Sequence, residues 1–202
     1  MFNPSMINDH IGIYENAFPN SYCDEIINDF EKYNEQVYYT SGDIKKGENT
    51  FPEGIEGRKD TMLFYEYIDL QASIKLLHLV TKKGLDNYIK YYPTLKSEPI
   101  VAMSVKLQKT ESGGGYHKWH HENDNFWTQD RVIAWMVYLN DIPLGNGGAT
   151  DFLSQKISIQ PKKGTLLLWP AGYTHVHKGG FLTGDISKYI ATGWFIKTPP
   201  IK

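Results

Sequence analysis

Two histidine clusters, about fifty residues apart, contain the side chains of this chain that are best suited to bind a metal ion. The first includes His120-x-Glu122, and the second includes His175 and His177. Residues i and i+2 of a strand point to the same face, so His120 and Glu122 can converge on one ion if their segment is extended. A histidine from a distant strand would complete the two-histidine, one-carboxylate ligand set of Fe(II) sites that activate oxygen.

Other interpretations of these histidines have to be weighed. Zinc accepts the same ligand set, and histidines on polar loops can occur without any metal. His117 and His121 have the spacing of a helical zinc-protease motif, but Gly113-Gly114-Gly115 disfavours a helix there and the motif's glutamate is missing. We therefore expect His117 and His121 to be supporting or surface groups.

Two further residue types have ordinary explanations. Trp119, Trp127 and Trp135 are expected to be packing residues rather than substrate platforms. Cys23 falls in the first turn of a predicted helix, which favours a buried or inert thiol over a nucleophile.

The composition indicates a folded globular protein. The chain has 202 residues, 41% hydrophobic and 22% charged, which fits one domain with a sizeable core. Its net charge is −2 and it has no basic run, which disfavours nucleic acid as a partner. The single cysteine, the lack of a signal peptide at the N-terminus and the lack of a membrane-spanning stretch predict a soluble, cytoplasmic protein.

The first half of the chain is expected to supply helices and loops. Helical spacing of apolar residues predicts a helix over about residues 21–35. A Gly- and Lys-rich stretch at 40–60 predicts a long exposed loop, and 61–67 could be a strand. Residues 70–92 predict one or two helices broken near Gly84.

After residue 97 the pattern becomes that of strands. Val101, Met103, Val105 and Leu107 alternate with other residues, and 131–140 is a nearly continuous apolar run. Further short runs lie at 155–160, 165–169, 173–177 and 188–196. They predict a mainly β protein with N-terminal helices, in one domain over 1–202: residues 1–96 form supporting helices and loops, and 97–202 form a β-sandwich or barrel.

An ordered series of short motifs resembles the iron(II)/2-oxoglutarate-dependent dioxygenases of the prolyl 4-hydroxylase type. The series runs through Gly115-Tyr116, His120-x-Glu122, Arg131, Tyr138-Leu139-Asn140, Gly147-Gly148-Ala149-Thr150-x-Phe152, Pro161-Lys162-Lys163-Gly164, His177-x-Gly179, Lys188 and Trp194. Its shared order and spacing cover about residues 100–196. The resemblance implies that the β core is a double-stranded β-helix, a variant of the jelly roll.

The resemblance also implies roles for five residues. His120, Glu122 and His177 would hold Fe(II), and His177 is preferred over His175 because later motifs fall at family-like offsets from it. Lys188 would pair with the distal carboxylate of 2-oxoglutarate, since a buried carboxylate needs a partner. The hydroxyl of Tyr138 would join the same carboxylate.

Three positions depart from the family pattern. The carboxylate ligand is usually aspartate, whereas here it is Glu122. Thr110 stands where a tyrosine often contacts the co-substrate. Tyr116 lies four residues before His120 rather than three, and such an insertion can bulge a strand.

The implied activity is the hydroxylation of an unactivated C–H bond, with release of succinate and CO2. Fe(II), 2-oxoglutarate and O2 would be required, with ascorbate a candidate reductant. Peptidyl proline is the first substrate to consider by family analogy alone, within a peptide or protein. The alternatives are an oxygenase acting on a free amino acid or other small molecule, and a non-catalytic metal-binding β-sandwich. The sequence does not give the oligomeric state.

Overall fold

The first helix forms where apolar residues recur at helical spacing. In the computed structural model, which describes residues 6–33, 39–40, 43–44 and 58–199, helix α1 spans Asn20–Tyr33. It buries Cys23, Ile26 and Phe30 on one face, so the predicted helix is confirmed as far as residue 33. Burial raises the pKa of the Cys23 thiol to about 11, which fits the prediction of an inert thiol.

The second helical region changes its geometry near Gly84. Helix α2 (Leu70–Val80) leads through a π-helical turn, Thr81–Leu85, into helix α3 (Asp86–Tyr91). Gly84 lies in that turn, where an added Cβ would come within 2.8 Å of the side chains of Leu166 and Leu168. The glycine therefore allows the helix to approach the sheet closely, and the predicted break near Gly84 is confirmed as an interruption of α-helical geometry between two helices.

A seven-stranded antiparallel sheet forms the main layer of the fold. The strands are β1 (Met6–Asn8), β2 (Ile11–Tyr14), β6 (Thr61–Phe64), β7 (Ile100–Thr110), β9 (Arg131–Tyr138), β12 (Leu166–Pro170) and β14 (Lys188–Lys197). Their order in the sheet is β1-β2-β12-β9-β14-β7-β6. Because β1 and β2 come from the first residues described, the N-terminal part of the chain extends the same sheet as the C-terminal strands.

A smaller antiparallel sheet faces the large one. It has the order β11-β10-β13, with β10 (Thr150–Phe152), β11 (Ile157–Ile159) and β13 (His177–Gly179). Two strand pairs add to this core: β3 (Tyr39–Thr40) with β4 (Asp43–Ile44), and β5 (Arg58–Lys59) with β8 (Gly115–Tyr116). The predicted class, mainly β with N-terminal helices and a jelly-roll core, is confirmed.

Strand β9 is apolar on both faces because both faces are covered. Ile133, Trp135 and Val137 pack in the cluster that includes the helices, whereas Ala134 and Tyr138 pack in the cluster between the two sheets. Alternate residues of a strand point to opposite faces. A strand covered on both faces therefore reads as a continuous apolar run.

A bulge divides strand β7 into two halves. The register with β14 shifts between Thr192 and Trp194, and Ser104 adopts a left-handed φ of 58°. Val105 and Leu107 are buried against the helices, but Val101 and Met103 are 46% and 54% exposed. The alternation expected from the sequence does not continue along one face, since the extra residue reverses it.

Other boundaries differ locally from the expectations. The run 173–177 is not one strand, because Tyr173–His175 is a 3-10 turn that ends before β13 begins. The predicted strand at 61–67 ends at Phe64. Most of the predicted loop at 40–60 lies outside the described residues. Among those residues, no helix has the length and apolar character needed to cross a membrane.

Candidate metal centre and adjoining cavity

Backbone pairing brings the two histidine clusters together. His120 lies beside the edge of β13, where its N–H donates to the carbonyl of His177 at 3.0 Å and its carbonyl accepts from the N–H of His177 at 2.9 Å. The N–H of Glu122 then donates to the carbonyl of Ala171 at 2.9 Å. These bonds fix the backbones of all three predicted ligands at one end of the small sheet.

The side chains of His120, Glu122 and His177 converge on one point. One ligand atom from each lies within 4.8 Å of the others. Oε1 of Glu122 is 3.2 Å from Nε2 of His177 and 3.8 Å from Nε2 of His120. Neighbouring ligands on an octahedral ion with bonds of about 2.1 Å lie about 3 Å apart. The spacing therefore fits a single small cation.

The hydrogen bonds of both imidazoles leave the nitrogens that face the carboxylate available. Nδ1 of His120 lies 2.9 Å from the carbonyl of Lys118, and Nδ1 of His177 lies 2.9 Å from the carbonyl of His175. Each Nδ1 must therefore carry a proton and donate it. Nε2 of His177 then faces Oε1 of Glu122 at 3.2 Å, where it donates a hydrogen bond when the ring is charged and offers a lone pair to a cation when the ring is neutral.

The charges of the three groups suit a divalent metal. Burial raises the pKa of the Glu122 carboxyl, but the hydrogen bond and charge of His177 outweigh it and hold that pKa well below its usual range. Burial, with the charge of His177, lowers the pKa of His120 to about 4. At neutral pH the site thus combines a carboxylate with a neutral imidazole, as metal coordination requires.

Packing restricts the two imidazole rings. Tyr116 stacks on His120, with ring centroids 4.0 Å apart. The ring of His177 lies between Phe152 and Trp169, with centroid distances of 5.6 and 5.0 Å. The rings are therefore held in position by neighbouring aromatic side chains as well as by hydrogen bonds.

The second oxygen of Glu122 is held by Trp194 and Arg131. The indole Nε1–H of Trp194 donates to Oε2 at 2.8 Å. Nη1 of Arg131 donates to the backbone carbonyl of Glu122 at 3.0 Å and lies 3.6 Å from Oε2. The guanidinium also stacks over the Trp194 ring at 3.6 Å. Both residues belong to the motif series, but the sequence did not predict that they hold Glu122, because these contacts join three separate parts of the chain.

The other histidines near the site have different partners. Nε2 of His175 donates to the carbonyl of Asp9 at 2.8 Å, so this ring points away from the three predicted ligands. The predicted strand at 173–177 would have placed His175 and His177 on one face, but His175 lies in the 3-10 turn that ends before β13 begins. Nδ1 of His117 lies 3.1 Å from the carbonyl of Gly179, and His121 bonds Asn123, so both serve as supporting groups as expected.

A cavity of about 330 Å³ extends from the three ligands to Lys188. Nζ of Lys188 donates to the carbonyl of Gly148 at 2.6 Å, and its side chain is buried. Burial lowers the pKa of Lys188 to about 8, although Asp151 and Asp60 oppose the shift. Thr110 and Thr150 also line the cavity. Thr110 is the position where a family tyrosine often contacts the co-substrate, and it therefore lies on the cavity wall.

Tyr138 lies behind Thr150 rather than on the cavity wall. It is fully buried, and its hydroxyl lies 2.7 Å from Oγ1 of Thr150 and 3.2 Å from the carbonyl of Ile159. Burial raises the pKa of Tyr138 well above its usual value, so the hydroxyl stays protonated. A contact between Tyr138 and the co-substrate stays a prediction, while Thr150, whose Oγ1 accepts the bond from Tyr138, lines the cavity.

The three tryptophans singled out in the sequence have different environments. Trp135 is fully buried, as expected of a packing residue. Trp119 is partly exposed, with Nζ of Lys178 lying 4.6 Å from its ring centroid. Trp127 is 87% exposed, so the expectation that it packs in the core is wrong.

The fold and the site together define the class of protein. A jelly roll that holds two histidines and a carboxylate beside a buried lysine has the parts of a 2-oxoglutarate-dependent oxygenase. Residues 105–196 match the model of the 2OG-Fe(II) oxygenase superfamily. Residues 105–196, which contain the three ligands and Lys188, are thus similar to the Fe(II)- and 2-oxoglutarate-dependent oxygenases, and the predicted resemblance to this class of enzyme is confirmed. This class uses Fe(II), 2-oxoglutarate and O2.

Solved structures of prolyl hydroxylases share the fold. The viral collagen prolyl hydroxylase of Paramecium Bursaria Chlorella virus-1, in complex with 2OG, is 19% identical, with a TM-score of 0.64 over 95% of this chain and 98% of that one. A Pseudomonas putida prolyl-4-hydroxylase is 14% identical, with a TM-score of 0.71 over 94% of each chain.

A third structure contains a peptide. The Trichoplax adhaerens prolyl hydroxylase, in complex with a hypoxia inducible factor oxygen degradation domain peptide fragment, is 18% identical. Its TM-score is 0.69 over 94% of this chain and 84% of that one. No curated protein matches the chain in sequence.

Proposed function

We propose that this chain hydroxylates a peptidyl residue, proline first, at a site where His120, Glu122 and His177 hold Fe(II). The observation that carries the proposal is the convergence of two Nε2 atoms and one carboxylate oxygen on a single point. The buried lysine at the far end of the same cavity adds a second feature that a simple metal-binding module does not need. The histidine pair, the carboxylate and the lysine together fit the metal and its co-substrate.

Lys188 and Thr150 would hold the distal carboxylate of 2-oxoglutarate. The ammonium group is buried and its one hydrogen bond within the described residues goes to Gly148, which leaves other N–H donors for a carboxylate. An ion pair with the co-substrate would also oppose the effect of burial on the pKa of Lys188. Tyr138 would act through Thr150, whose hydroxyl it positions.

The bound metal and co-substrate supply the oxidising chemistry, which converts 2-oxoglutarate and O2 to succinate, CO2 and a hydroxylated product. The chain's own residues bind and orient. Trp194 and Arg131 hold the carboxylate of Glu122, and the carbonyls of Lys118 and His175 fix the rings of the histidines. We assign no general base, since no side chain has to remove a proton from the substrate.

A peptide is the favoured substrate class. Hydroxylases of the same fold have prolyl residues as substrates according to their names, and one of them was crystallised with a peptide fragment. The cavity opens at the surface beside Asp124 and Asn125, both exposed, so a polypeptide can reach the three ligands. A single domain over residues 1–202, a cytoplasmic location and ascorbate as reductant remain predictions that accompany this proposal.

The proposal is tested by product formation. Purified protein, Fe(II), 2-oxoglutarate and O2 should form succinate slowly without substrate and faster with a peptide that contains proline, whose mass should rise by one oxygen atom. His177→Ala should abolish succinate formation, whereas the matched variant His121→Ala should retain it. Succinate formation without oxidation of any peptide would favour a small-molecule substrate, and the absence of both would contradict the proposal.

A further inference from the structure

Two exposed aromatic residues lie between Asn125 and Thr128, which both line the cavity. Phe126 and Trp127 are 71% and 87% exposed, and their rings meet edge to face with centroids 5.3 Å apart. They lie on the 3-10 turn Phe126–Thr128, only four residues after Glu122. Large aromatic side chains contribute most to binding when a partner covers them, so this exposure calls for an occupant.

The turn that carries the rings is rigid without any help from them. Oδ1 of Asn125 accepts a hydrogen bond from the N–H of Trp127 at 2.9 Å, and Oγ1 of Thr128 accepts one from the N–H of Asn125 at 3.2 Å. This reciprocal capping fixes the first turn through polar atoms. The backbone that carries the aromatic rings is therefore held in place before a ligand binds, which reduces the entropy lost on binding.

The charge around the pair favours a cation. Asp124 and Asp130 are both exposed in the same loop as the rings. The basic group nearest in sequence, Arg131, is stacked on Trp194 and interacts with three carboxylates, those of Glu122, Asp130 and Asp124, so these four groups together keep a net negative charge. Aromatic faces attract ammonium and guanidinium groups, tryptophan most strongly, and neighbouring carboxylates add to this attraction.

The size and position of the pair fit one side chain of a polypeptide. Two aromatic side chains can bury roughly 300–500 Å², whereas a stable interface between two copies needs about 1,200 Å² or more. Phe126 follows Glu122 by four positions, so their Cα atoms can lie at most about 14 Å apart. An extended peptide covers that distance with about four residues.

We propose that Phe126 and Trp127 form a docking platform for a lysine or arginine side chain of the substrate polypeptide. This residue would lie about three or four positions from the one that is hydroxylated. The proposal rests on the proposed function in so far as the substrate is a peptide. It assigns the substrate a chemical feature, a nearby positive charge, that the metal centre itself does not require.

Binding of labelled peptides tests the platform separately from catalysis. Nine-residue peptides with a central proline would carry arginine, norleucine or glutamate at a position three or four residues away, with small uncharged residues elsewhere. Fluorescence anisotropy would measure their affinity for the full chain with Fe(II) and 2-oxoglutarate under argon. Arginine should bind about tenfold more tightly than norleucine, and glutamate more weakly than either.

Variants of the turn should remove this preference. Phe126→Ser/Trp127→Ser should bind the arginine and norleucine peptides equally, and Asp130→Asn should reduce the preference. Leu144→Ser changes an apolar side chain that is 88% exposed on another loop, so it should keep the full preference.

Three results would overturn the platform: equal affinity for all peptides in the unmodified chain, a preference that survives in the double variant, or self-association that the double variant abolishes. If the unmodified chain forms no succinate but still prefers the arginine peptide, the result would instead contradict the metal centre and leave the platform supported.

Discussion

The hydrogen bond from Trp194 to Glu122 offers a quantitative test of how the carboxylate is held. Trp194→Phe removes the N–H that donates to Oε2 at 2.8 Å but keeps an aromatic face for the guanidinium of Arg131. A hydrogen bond to a charged group contributes about 1.5–3 kcal/mol. Because about 1.4 kcal/mol corresponds to a factor of ten, we expect the affinity for Fe(II) to fall by roughly 10- to 100-fold, as is typical of residues that orient a ligand.

Anaerobic isothermal titration calorimetry with Fe(II) measures this loss. Trp135→Phe is the matched control, because Trp135 is equally large and buried but its indole N–H has no hydrogen-bond partner among the described residues. It should bind Fe(II) as the unmodified chain does. If Trp194→Phe stays within twofold of the unmodified chain, or if Trp135→Phe weakens binding equally, the role assigned to Trp194 is wrong.

Three further predictions concern the site and its support. Glu122→Asp should weaken Fe(II) binding in the same titration, although aspartate is the usual family ligand, because the shorter side chain cannot keep its bond to Trp194; equal or tighter binding would contradict this. Lys188→Met should weaken 2-oxoglutarate binding by at least about tenfold. In the unmodified chain, calorimetry should show that affinity falling above pH about 8, where the free ammonium loses its proton, and a flat profile to pH 10 would count against Lys188 as the anchor. Gly193→Ala places a Cβ 2.4 Å from the carbonyl of Ser104, so we expect a loss of about 2 kcal/mol or more and a melting temperature lower by roughly 4–8 °C; an unchanged melting temperature would show that the strands relax freely.

Local patterns in the sequence were sufficient to predict the elements that position the site. The continuous apolar run of β9 and the helical spacing in α1 are short-range patterns, which a single segment carries by itself. His120-x-Glu122 is also a local signal, although only His120 pairs with a strand and Glu122 begins a turn. The order of the motifs then indicated the fold and the distant histidine.

Long-range contacts explain what the sequence could not predict. The bonds from Trp194 and Arg131 to Glu122 depend on three separate segments meeting. The bulge at Ser104 depends on the register between two strands, so nothing in the alternation of apolar residues signals it. Trp127 resembles a core residue by type alone, and only the capped turn beside the cavity shows that it faces solvent.

The most direct test of the metal centre is a crystal structure of the protein grown anaerobically with Fe(II) and 2-oxoglutarate, with data collected at the iron absorption edge. The anomalous signal should show one ion within about 2.2 Å of Nε2 of His120, Nε2 of His177 and a carboxylate oxygen of Glu122, and the distal carboxylate of 2-oxoglutarate should contact Lys188. An ion bound instead at His175, or a co-substrate that does not reach Lys188, would contradict the proposed site.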